Sequence, residues 1–249
     1  MKPLHGEIAW ITGGSGGIGK AAAVELAAAG ADVIIGYHSA ETVARQTEQI
    51  CRRFGVRALA VPVDVRNRES VSAAYREITH HFGNPTILIH AAGNSVAGLI
   101  QDMTEKDYDQ VMDTHVRGAF SLVQAVLPAM IQQQKGRIVL VSSIWGQTGG
   151  ACEVLYSAAK GAQISMAKAL AKELAPSGIT VNAIAPGAIQ TAMLERQLTR
   201  EERSSLAEEI PAGRLGLPEE VASLIRYVCL PEAAYVTGQV LAVNGGWYT

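Results

Sequence analysis

The chain of 249 residues has few aromatic side chains, few cysteines and no large excess of charge of either sign. Aromatic residues make up 5% of it and the formal net charge is −2, which disfavours a base-stacking surface or a basic groove for nucleic acid. The three cysteines, Cys51, Cys152 and Cys229, form no C-x-x-C pair, and their odd number indicates reduced thiols. We therefore predict no metal site and no nucleic-acid partner.

Long apolar runs are also missing from the sequence. No uninterrupted run approaches the roughly 20 residues that a membrane-spanning helix needs, so no membrane partner is predicted. Glu7 interrupts the apolar stretch near the N-terminus, which therefore does not resemble a signal peptide. These features predict a cytoplasmic protein, and an apolar content of 48% is enough to bury a substantial core.

Glycines divide the first three quarters of the chain in a regular way. Each of five glycines ends a helix-like segment, where a residue without Cβ adopts the left-handed conformation easily, and each precedes a short apolar run. The glycines are Gly30, Gly55, Gly83, Gly136 and Gly178, and the runs are Asp32–Ile35, Val56–Val61, Thr86–Ile89, Arg137–Val141 and Ile179–Ile184. Runs rich in Val and Ile without alternation are typical of strands covered on both faces.

With Glu7–Thr12 as the first strand and Val240–Val243 as the last, seven strands alternate with helices. Such alternation indicates a parallel sheet with right-handed crossovers. We predict an α/β fold: one Rossmann-type domain over residues 1–249, with a doubly wound parallel sheet of seven strands and helices on both faces.

A glycine-rich turn joins the first strand to the first helix, Lys20–Ala29. Its backbone N–H groups could approach a phosphate at a helix N-terminus, where the helix dipole favours negative charge. A plain tight turn is the alternative, but the preceding strand and the following helix favour dinucleotide binding. The candidate cofactor-binding residues are Gly13, Ser15, Gly16, Gly17, Ile18 and Gly19.

The end of the second strand bears on which dinucleotide is bound. An acidic residue there would bind the ribose 2′-hydroxyl of NAD, but Gly36, Tyr37, His38 and Ser39 include none, and Asp32 lies at the other end of the strand. NADP(H) is therefore favoured, with NAD(H) as the alternative because this stretch holds no Arg or Lys. For His38, a solvated loop histidine is an equally good interpretation.

Further candidate cofactor-binding residues follow the third and fourth strands. Asp64 and Val65 come after one, and Ala91, Ala92 and Gly93 after the other. Ligands of open parallel sheets lie outside the carboxyl ends of the strands, and small residues there would let a nucleotide approach. A tight turn explains the small residues equally well.

Tyr156 and Lys160 are the strongest candidates for chemistry. Four residues apart at the start of a predicted helix, Ser157–Leu174, they lie on one face. A neighbouring ammonium favours the phenolate and lowers the pKa of a tyrosine toward the working range, as proton transfer requires. A tyrosine and a lysine at this spacing can also occur by chance, so their value as evidence for a catalytic site depends on the motifs around them.

Together these motifs resemble the short-chain dehydrogenase/reductase family over essentially the whole chain. They are Thr12-Gly-x-x-x-Gly17-Ile-Gly19, Asp64, Ala92-Gly93, Ser143, Tyr156-x-x-x-Lys160, Asn182-x-x-x-Pro186-Gly187 with Thr191, and Gly238-Gln239. Within the family the chain is most similar to bacterial 3-oxoacyl-acyl-carrier-protein reductases, through Tyr156-Ser-Ala-Ala-Lys160-Gly and Gly213-Arg-Leu-Gly-x-Pro218-Glu-Glu-Val-Ala222.

The resemblance implies a role for each matching residue. Tyr156 would be the general acid, Lys160 would lower its pKa and hold the nicotinamide ribose, and Ser143 would stabilise the substrate oxygen. Pro186, Gly187, Ile189 and Thr191 would border the nicotinamide and its phosphate. Trp145, Gln147 and Cys152, with Ser143 and Tyr156, would line the substrate pocket.

The sequence departs from the family at three places. His115 occupies the position of an asparagine that anchors a water leading protons to the lysine, so a relay through histidine and a merely structural histidine both stay open. His90-Ala91 replaces a common Asn-Asn pair. Gln134 and Ser177 lie near positions where reductases of acyl carrier protein tend to carry arginine, although Lys135 and Arg137 are close by.

These observations predict an NADP-dependent reductase of a 3-oxoacyl thioester, with acyl carrier protein as a candidate carrier. A dehydrogenase of a sugar or small alcohol, and a nucleotide-binding sensor with weak catalysis, are the alternatives. Residues 188–211 are predicted to form a mobile lid over the substrate. The resemblance also implies a homo-oligomer, usually a tetramer, paired through Glu105–Gln134 and Ser157–Leu174.

Overall fold

The structure, a computed structural model, describes residues 2–249. Seven parallel strands form one sheet in the order β3-β2-β1-β4-β5-β6-β7. The strands are β1 (Ile8–Thr12), β2 (Asp32–Tyr37), β3 (Ala58–Pro62), β4 (Ile87–His90), β5 (Gly136–Val141), β6 (Ile179–Pro186) and β7 (Val240–Val243). The predicted α/β class and the seven-stranded parallel sheet are confirmed.

Helices connect the strands and cover the sheet. They are α1 (Gly17–Ala28), α2 (Glu41–Arg52), α3 (Arg68–Phe82), α4 (Glu105–Met112), α5 (Gly118–Gln133), α6 (Trp145–Thr148), α7 (Val154–Leu174), α8 (Ala192–Gln197), α9 (Arg200–Glu209) and α10 (Pro218–Cys229). No helix among residues 2–249 is long and apolar enough to cross a membrane.

Two apolar cores lie on opposite faces of the sheet. Adjacent strand residues alternate between them: Ile11 and Ile35 pack in one core with α1, α2 and α10. Trp10 and Ile34 pack in the other core with α3, α5 and α7. Because both faces are covered, the strands are buried on both sides, which explains their unalternating apolar sequences.

The strand order reverses beside β1, which pairs with β2 on one side and with β4 on the other. Thr12 is level with Gly36 of β2 and His90 of β4, so the turns after these three strands meet at one edge of the sheet. In open parallel sheets this switch point is where ligands bind.

The predicted long helix Glu105–Gln134 is helical from Glu105 to Gln133, but it is not an α-helix throughout. A π-helical segment, Asp113–Arg117, separates α4 from α5 and contains His115. Insertion of a π turn shifts the following residues by one position around the axis, which an apolar pattern over the whole span does not reveal. Single π turns are frequent at functional sites.

The segment predicted as a lid, residues 188–211, contains α8 and α9 and no strand of the sheet. Neither helix has a buried residue, so both lie on the surface of the molecule. At the far edge of the sheet, β7 is apolar but only partly covered: all four of its residues are at least partly exposed.

Candidate active site

Tyr156 and Lys160 lie on the first turns of α7, which begins three residues earlier than predicted. The Lys160 Nζ atom is 5.3 Å from the centre of the Tyr156 ring. It donates hydrogen bonds to the carbonyl oxygen of Val141 (2.7 Å) and to Oε1 of Gln163 (3.3 Å). Lys160 is 4% exposed, so its amine is held away from bulk water.

Two serines follow β5, and their side chains make different hydrogen bonds. The Ser142 hydroxyl donates to the carbonyl oxygen of Lys160 (2.8 Å), as expected of a serine that fixes a turn. The Ser143 oxygen accepts from the backbone N–H of Trp145 (3.2 Å) and acts on the Tyr156 phenol as a hydrogen-bonding neighbour. The structure therefore brings Ser143, Tyr156 and Lys160 together at the carboxyl end of β5.

The proton affinities in this site are set mainly by burial. Desolvation, together with the charge of Glu153, raises the pKa of Tyr156 to about 12, while Ser143 opposes the shift. Desolvation also lowers the pKa of Lys160 to about 7. The net shift of the Tyr156 pKa is upward because burial penalises the phenolate, and the charge of Lys160 is not among the causes of this shift.

The backbone of the glycine-rich turn lies very close to the residues that surround it. Gly13 has a φ of +70°, and a Cβ there would lie 2.6 Å from the backbone nitrogen of Ala92. A Cβ on Gly19 would overlap the Gly13 carbonyl, and one on Gly17 would lie 2.6 Å from the Thr191 side chain. Side chains are thus excluded where the turn meets the strands beside it.

The N-terminus of α1 is free of side-chain caps. Gly16 precedes the helix without a capping hydrogen bond, and its first turn carries no acidic residue. Backbone N–H groups and the helix dipole there suit a phosphate group. Ser15 and Ile18 lie in the same turn and are partly exposed. The residues present therefore fit the pyrophosphate of a dinucleotide.

The ends of β2 and β3 form a charged corner beside this turn. Tyr37 is buried, whereas His38 and Ser39 are exposed, and His38 Nε2 lies 3.6 Å from the Asp64 carboxylate. Arg66 binds Asp64 through two nitrogens at 2.9 and 2.8 Å, which lowers the pKa of that carboxyl group. Arg66 was not among the predicted residues.

The remaining predicted cofactor residues lie on the same edge of the sheet, but two of their side chains pack in the apolar cores. Val65 packs in the core with α3 and α5, and Ile189 packs in the core with α1, α2 and α10. The others are Ala91, Ala92 and Gly93 after β4, Pro186 at the end of β6, and Gly187 and Thr191 after it. Ile189 is itself buried, and Thr191 caps the N-terminus of α8.

Comparison with known proteins decides the family. A family model described as "Enoyl-(Acyl carrier protein) reductase" matches residues 13–248. The chain is 41% identical to the 3-oxoacyl-[acyl-carrier-protein] reductase FabG of Vibrio cholerae and 40% identical to that of Aquifex aeolicus, each over 98% of both chains. It is 43% identical to the uncharacterized oxidoreductase YmfI of Bacillus subtilis, over 96% of this chain and 98% of that protein.

The chain belongs to the short-chain dehydrogenase/reductase family. It is therefore an NAD(P)-dependent oxidoreductase, and its cofactor is a nicotinamide nucleotide.

The two histidines at asparagine positions of the short-chain dehydrogenase/reductase pattern are both buried. His115 Nε2 is 2.7 Å from the Asn94 carbonyl oxygen, and its ring meets that of Tyr156 edge-on at 5.5 Å. Its Nδ1 atom has no hydrogen-bond partner among the described residues. His90 Nδ1 is 2.9 Å from the Thr12 hydroxyl. Burial is the main cause that lowers the pKa of His90 to about 3 and that of His115 well below its usual value.

The predicted substrate residues separate into two groups. Trp145 is partly buried and packs edge-on against Trp247, with ring centres 5.3 Å apart. Gln147 and Cys152 are exposed, and Cys152 has a positive φ of 60° with its carbonyl accepting from Gly98. Neither of these two side chains forms a hydrogen bond with Ser143 or Tyr156.

Sequence reasoning missed several residues that contact or act on the predicted site residues. Glu153 precedes α7, accepts a hydrogen bond from Ser95 (2.8 Å) and acts on Tyr156 through its charge. Gln163 contacts Lys160, and Trp247 reaches Trp145 from the last turn of the chain. A polar residue at position 163 in an otherwise alanine-rich buried helix face was the one signal available in advance.

Proposed function

We propose that this protein is an NADP(H)-dependent reductase that converts a ketone to a secondary alcohol, with a 3-oxoacyl thioester as its substrate. The observation that carries the proposal is the meeting of Ser143, Tyr156 and Lys160 at the carboxyl end of β5, on the edge of the sheet that also carries the glycine-rich turn. Relatives named as 3-oxoacyl-[acyl-carrier-protein] reductases, matched over nearly their full length, support the substrate class.

A bound nicotinamide supplies the hydride; the chain supplies the proton and the geometry. With a pKa of about 12, the Tyr156 phenol is protonated at neutral pH and can give its proton to a carbonyl oxygen. The Ser143 hydroxyl would hydrogen-bond the same oxygen and stabilise the charge that develops on it. Lys160 would hold the ribose hydroxyls and favour the phenolate that remains after transfer.

The choice of NADP(H) rests on the corner formed by His38, Asp64 and Arg66. No acidic side chain is present among Gly36, Tyr37, His38 and Ser39 at the end of β2. Arg66 and, when protonated, His38 flank Asp64 and could bind a 2′-phosphate. We expect NADPH to bind at least about tenfold more tightly than NADH. Replacing Arg66 by Ala should reduce that preference, as measured by titration calorimetry with each nucleotide; equal affinities in the original protein would contradict it.

The carrier of the acyl group is a separate question. Lys135, the basic residue nearest to one carrier position of the family, is engaged by Glu7 at 2.6 Å. One guanidinium nitrogen of Arg137 donates a hydrogen bond to the Gly136 carbonyl oxygen. These side chains are therefore less available to an acidic carrier than free lysines or arginines, and we propose that the thioester itself is the recognised group.

Initial rates with acetoacetyl-CoA and with a panel of sugars and small alcohols, each with NADP(H) and NAD(H), test the proposal. A rate on the thioester with NADPH well above every other combination is expected. Absence of turnover with any 3-oxoacyl thioester, on coenzyme A or on acyl carrier protein, would overturn it.

One observation favours a second candidate, a dehydrogenase of a sugar or small alcohol. Glu153 and Ser95 place a carboxylate and a hydroxyl together near Tyr156, and such groups bind the hydroxyls of a polyol well. Replacing Glu153 by Gln should lower activity on hydroxylated substrates and spare activity on thioesters. The same panel of substrates decides between the two candidates.

We further propose that residues 188–211 act as the lid of this site. The N-terminus of α8 is capped by Thr191, which touches the glycine-rich turn at Gly17, so the segment starts at the nucleotide-binding edge. Closure would exclude water from the reacting atoms. Slower hydrogen exchange in α8 and α9 on addition of NADPH, with no change in α3, is the expected sign.

A further inference from the structure

Gln163 is fully buried although its side chain is polar. It lies on α7 three residues after Lys160, so both side chains are on the same side of the helix. A buried amide is costly unless both of its ends are hydrogen-bonded. Here both are: Oε1 accepts from Lys160 Nζ (3.3 Å), and Nε2 donates to the carbonyl oxygen of His115 (3.0 Å).

The two partners of Gln163 belong to different elements. One is the amine of the candidate active site, and the other is a backbone carbonyl of the π-helical segment Asp113–Arg117. The family pattern, as described above, has a water between the asparagine position and the lysine. In this chain the Gln163 amide itself joins residue 115 to Lys160.

We propose that Gln163 is a positioning residue of the reductase: its amide bridges the Lys160 amine and the His115 carbonyl, and so holds the amine at Tyr156. The inference rests on the proposed function for what the held amine does. An ammonium has three donors. Val141 and Gln163 take two, which leaves one for the side of the site where a nucleotide and Tyr156 meet.

No other side chain in the described part of the chain forms a hydrogen bond or a salt bridge with the Lys160 amine. The titratable groups around it are His90 from β4, His115 from the π-helical segment, and Tyr156 on its own helix. Both histidines are neutral at pH 7 because burial lowers their pKa. Gln163 is thus the one side-chain acceptor of the amine.

Three substitutions test this placement: Gln163→Glu, Gln163→Leu and Gln163→Ala. The first readout is an NMR titration of lysine labelled with ¹³C at Cε in the protein without added nucleotide, with Lys160→Met to assign the signal. Gln163→Glu puts a negative charge beside the amine and should raise the pKa of Lys160 by about one unit or more. Gln163→Leu removes the acceptor and should lower it.

The second readout is the rate of carbonyl reduction. Gln163→Leu fills the space with apolar atoms and removes one hydrogen bond each from the Lys160 amine and the His115 carbonyl, so kcat should fall about tenfold or more with little change in KM. Gln163→Ala leaves room for a water that can restore the bridge, so it should retain more activity than Gln163→Leu. The pH profile of kcat should move with the pKa of Lys160.

Equal losses in Gln163→Ala and Gln163→Leu, or a Lys160 pKa that is unchanged in every variant, would overturn the inference. If Gln163→Leu does not fold, two results still test the inference. They are the pKa of Lys160 in Gln163→Glu, which should be raised, and the activity that Gln163→Ala retains. If the protein reduces no carbonyl compound, the proposed function fails, whereas the NMR titration still tests whether Gln163 holds the amine.

Discussion

At the scale of single residues, burial controls the chemistry of the site. Tyr156 and Lys160 both lose water when the chain folds, and for each the neutral form becomes the favoured one. A protonated phenol is the form that reduction requires. An amine that is neutral or easily deprotonated can gain or lose a proton when a charged group binds beside it.

Replacing Tyr156 by Phe should remove the proton donor and keep the packing of the ring. Turnover should fall by at least about 100-fold, the usual contribution of a general acid, whereas the dissociation constant of NADPH should change by less than about twofold. Steady-state rates and fluorescence titration measure the two. Tyr108→Phe, at a half-exposed tyrosine of α4, is the control. Parallel loss of rate and affinity in the Tyr156 variant would show that the hydroxyl is structural.

Lys160 should make stability depend on pH in a definite direction. Its pKa is about 7 in the folded protein and ordinarily 10.5, so between these values the unfolded chain binds one more proton than the folded one. Stability must therefore rise with pH in this window, by up to about 1.4 kcal/mol per pH unit, and the contribution is constant below pH 7.

Urea unfolding of the original protein and of Lys160→Met from pH 6 to pH 10 measures this dependence as a difference, which cancels other titrating groups. The free energy of unfolding of the original protein minus that of Lys160→Met should be constant below pH 7 and should increase above it. A flat difference over the whole range would show that the amine is not desolvated as described.

At the scale of elements, the turn between β1 and α1 owes its shape to glycines that face backbone atoms. At Gly13 an alanine would need both a positive φ and space that the backbone of Ala91 and Ala92 already occupies. At Gly55 an alanine would face a similar φ, +79°, but open space. The two positions therefore separate backbone strain from crowding.

We expect Gly13→Ala to weaken NADPH binding by about tenfold or more and to lower the melting temperature by several degrees. Gly55→Ala should cost only the strain of its backbone, about 1 kcal/mol, and leave nucleotide affinity unchanged. Calorimetry and thermal unfolding measure both quantities. Similar effects of the two substitutions would mean that the contact with the β4 turn is unimportant.

Much of the element order could be predicted from the sequence, because glycine stops and Val- and Ile-rich runs act locally. Strand ends were less certain: β6 continues to Pro186, which a strand tolerates at its end. The π-helical segment could not be found, since an apolar pattern does not distinguish a π turn from the α-helix around it. Gln163 and Trp247 were missed for a related reason: their partners lie 48 and 102 residues away in sequence.

At the scale of the whole molecule, several large apolar side chains stay uncovered along α4 and α5. Tyr108 and Phe120 are each 50% exposed and Ile131 is 40% exposed. This is the surface on which the sequence predicts pairing between subunits. A row of exposed apolar side chains on neighbouring helices suits a protein interface.

We expect light scattering coupled to size-exclusion chromatography to give about four times the chain mass of 26.3 kDa. Phe120→Glu should reduce the mass to that of a dimer or monomer, because a charge buried in an apolar interface is costly. Phe54→Glu, on an apolar side chain exposed at a different place, is the matched control. A monomer in the original protein would refute the predicted tetramer.

The last strand, β7, is an open edge of the sheet. It pairs with β6 on one side, and on its other side no strand of residues 2–249 pairs with its backbone amides and carbonyls. Its apolar side chains are partly exposed. The edge of a sheet that is not covered can pair with the strands of other chains without selectivity. If the predicted tetramer covers this edge, dilution that separates its subunits should promote aggregation, with turbidity and adsorption to surfaces appearing before unfolding.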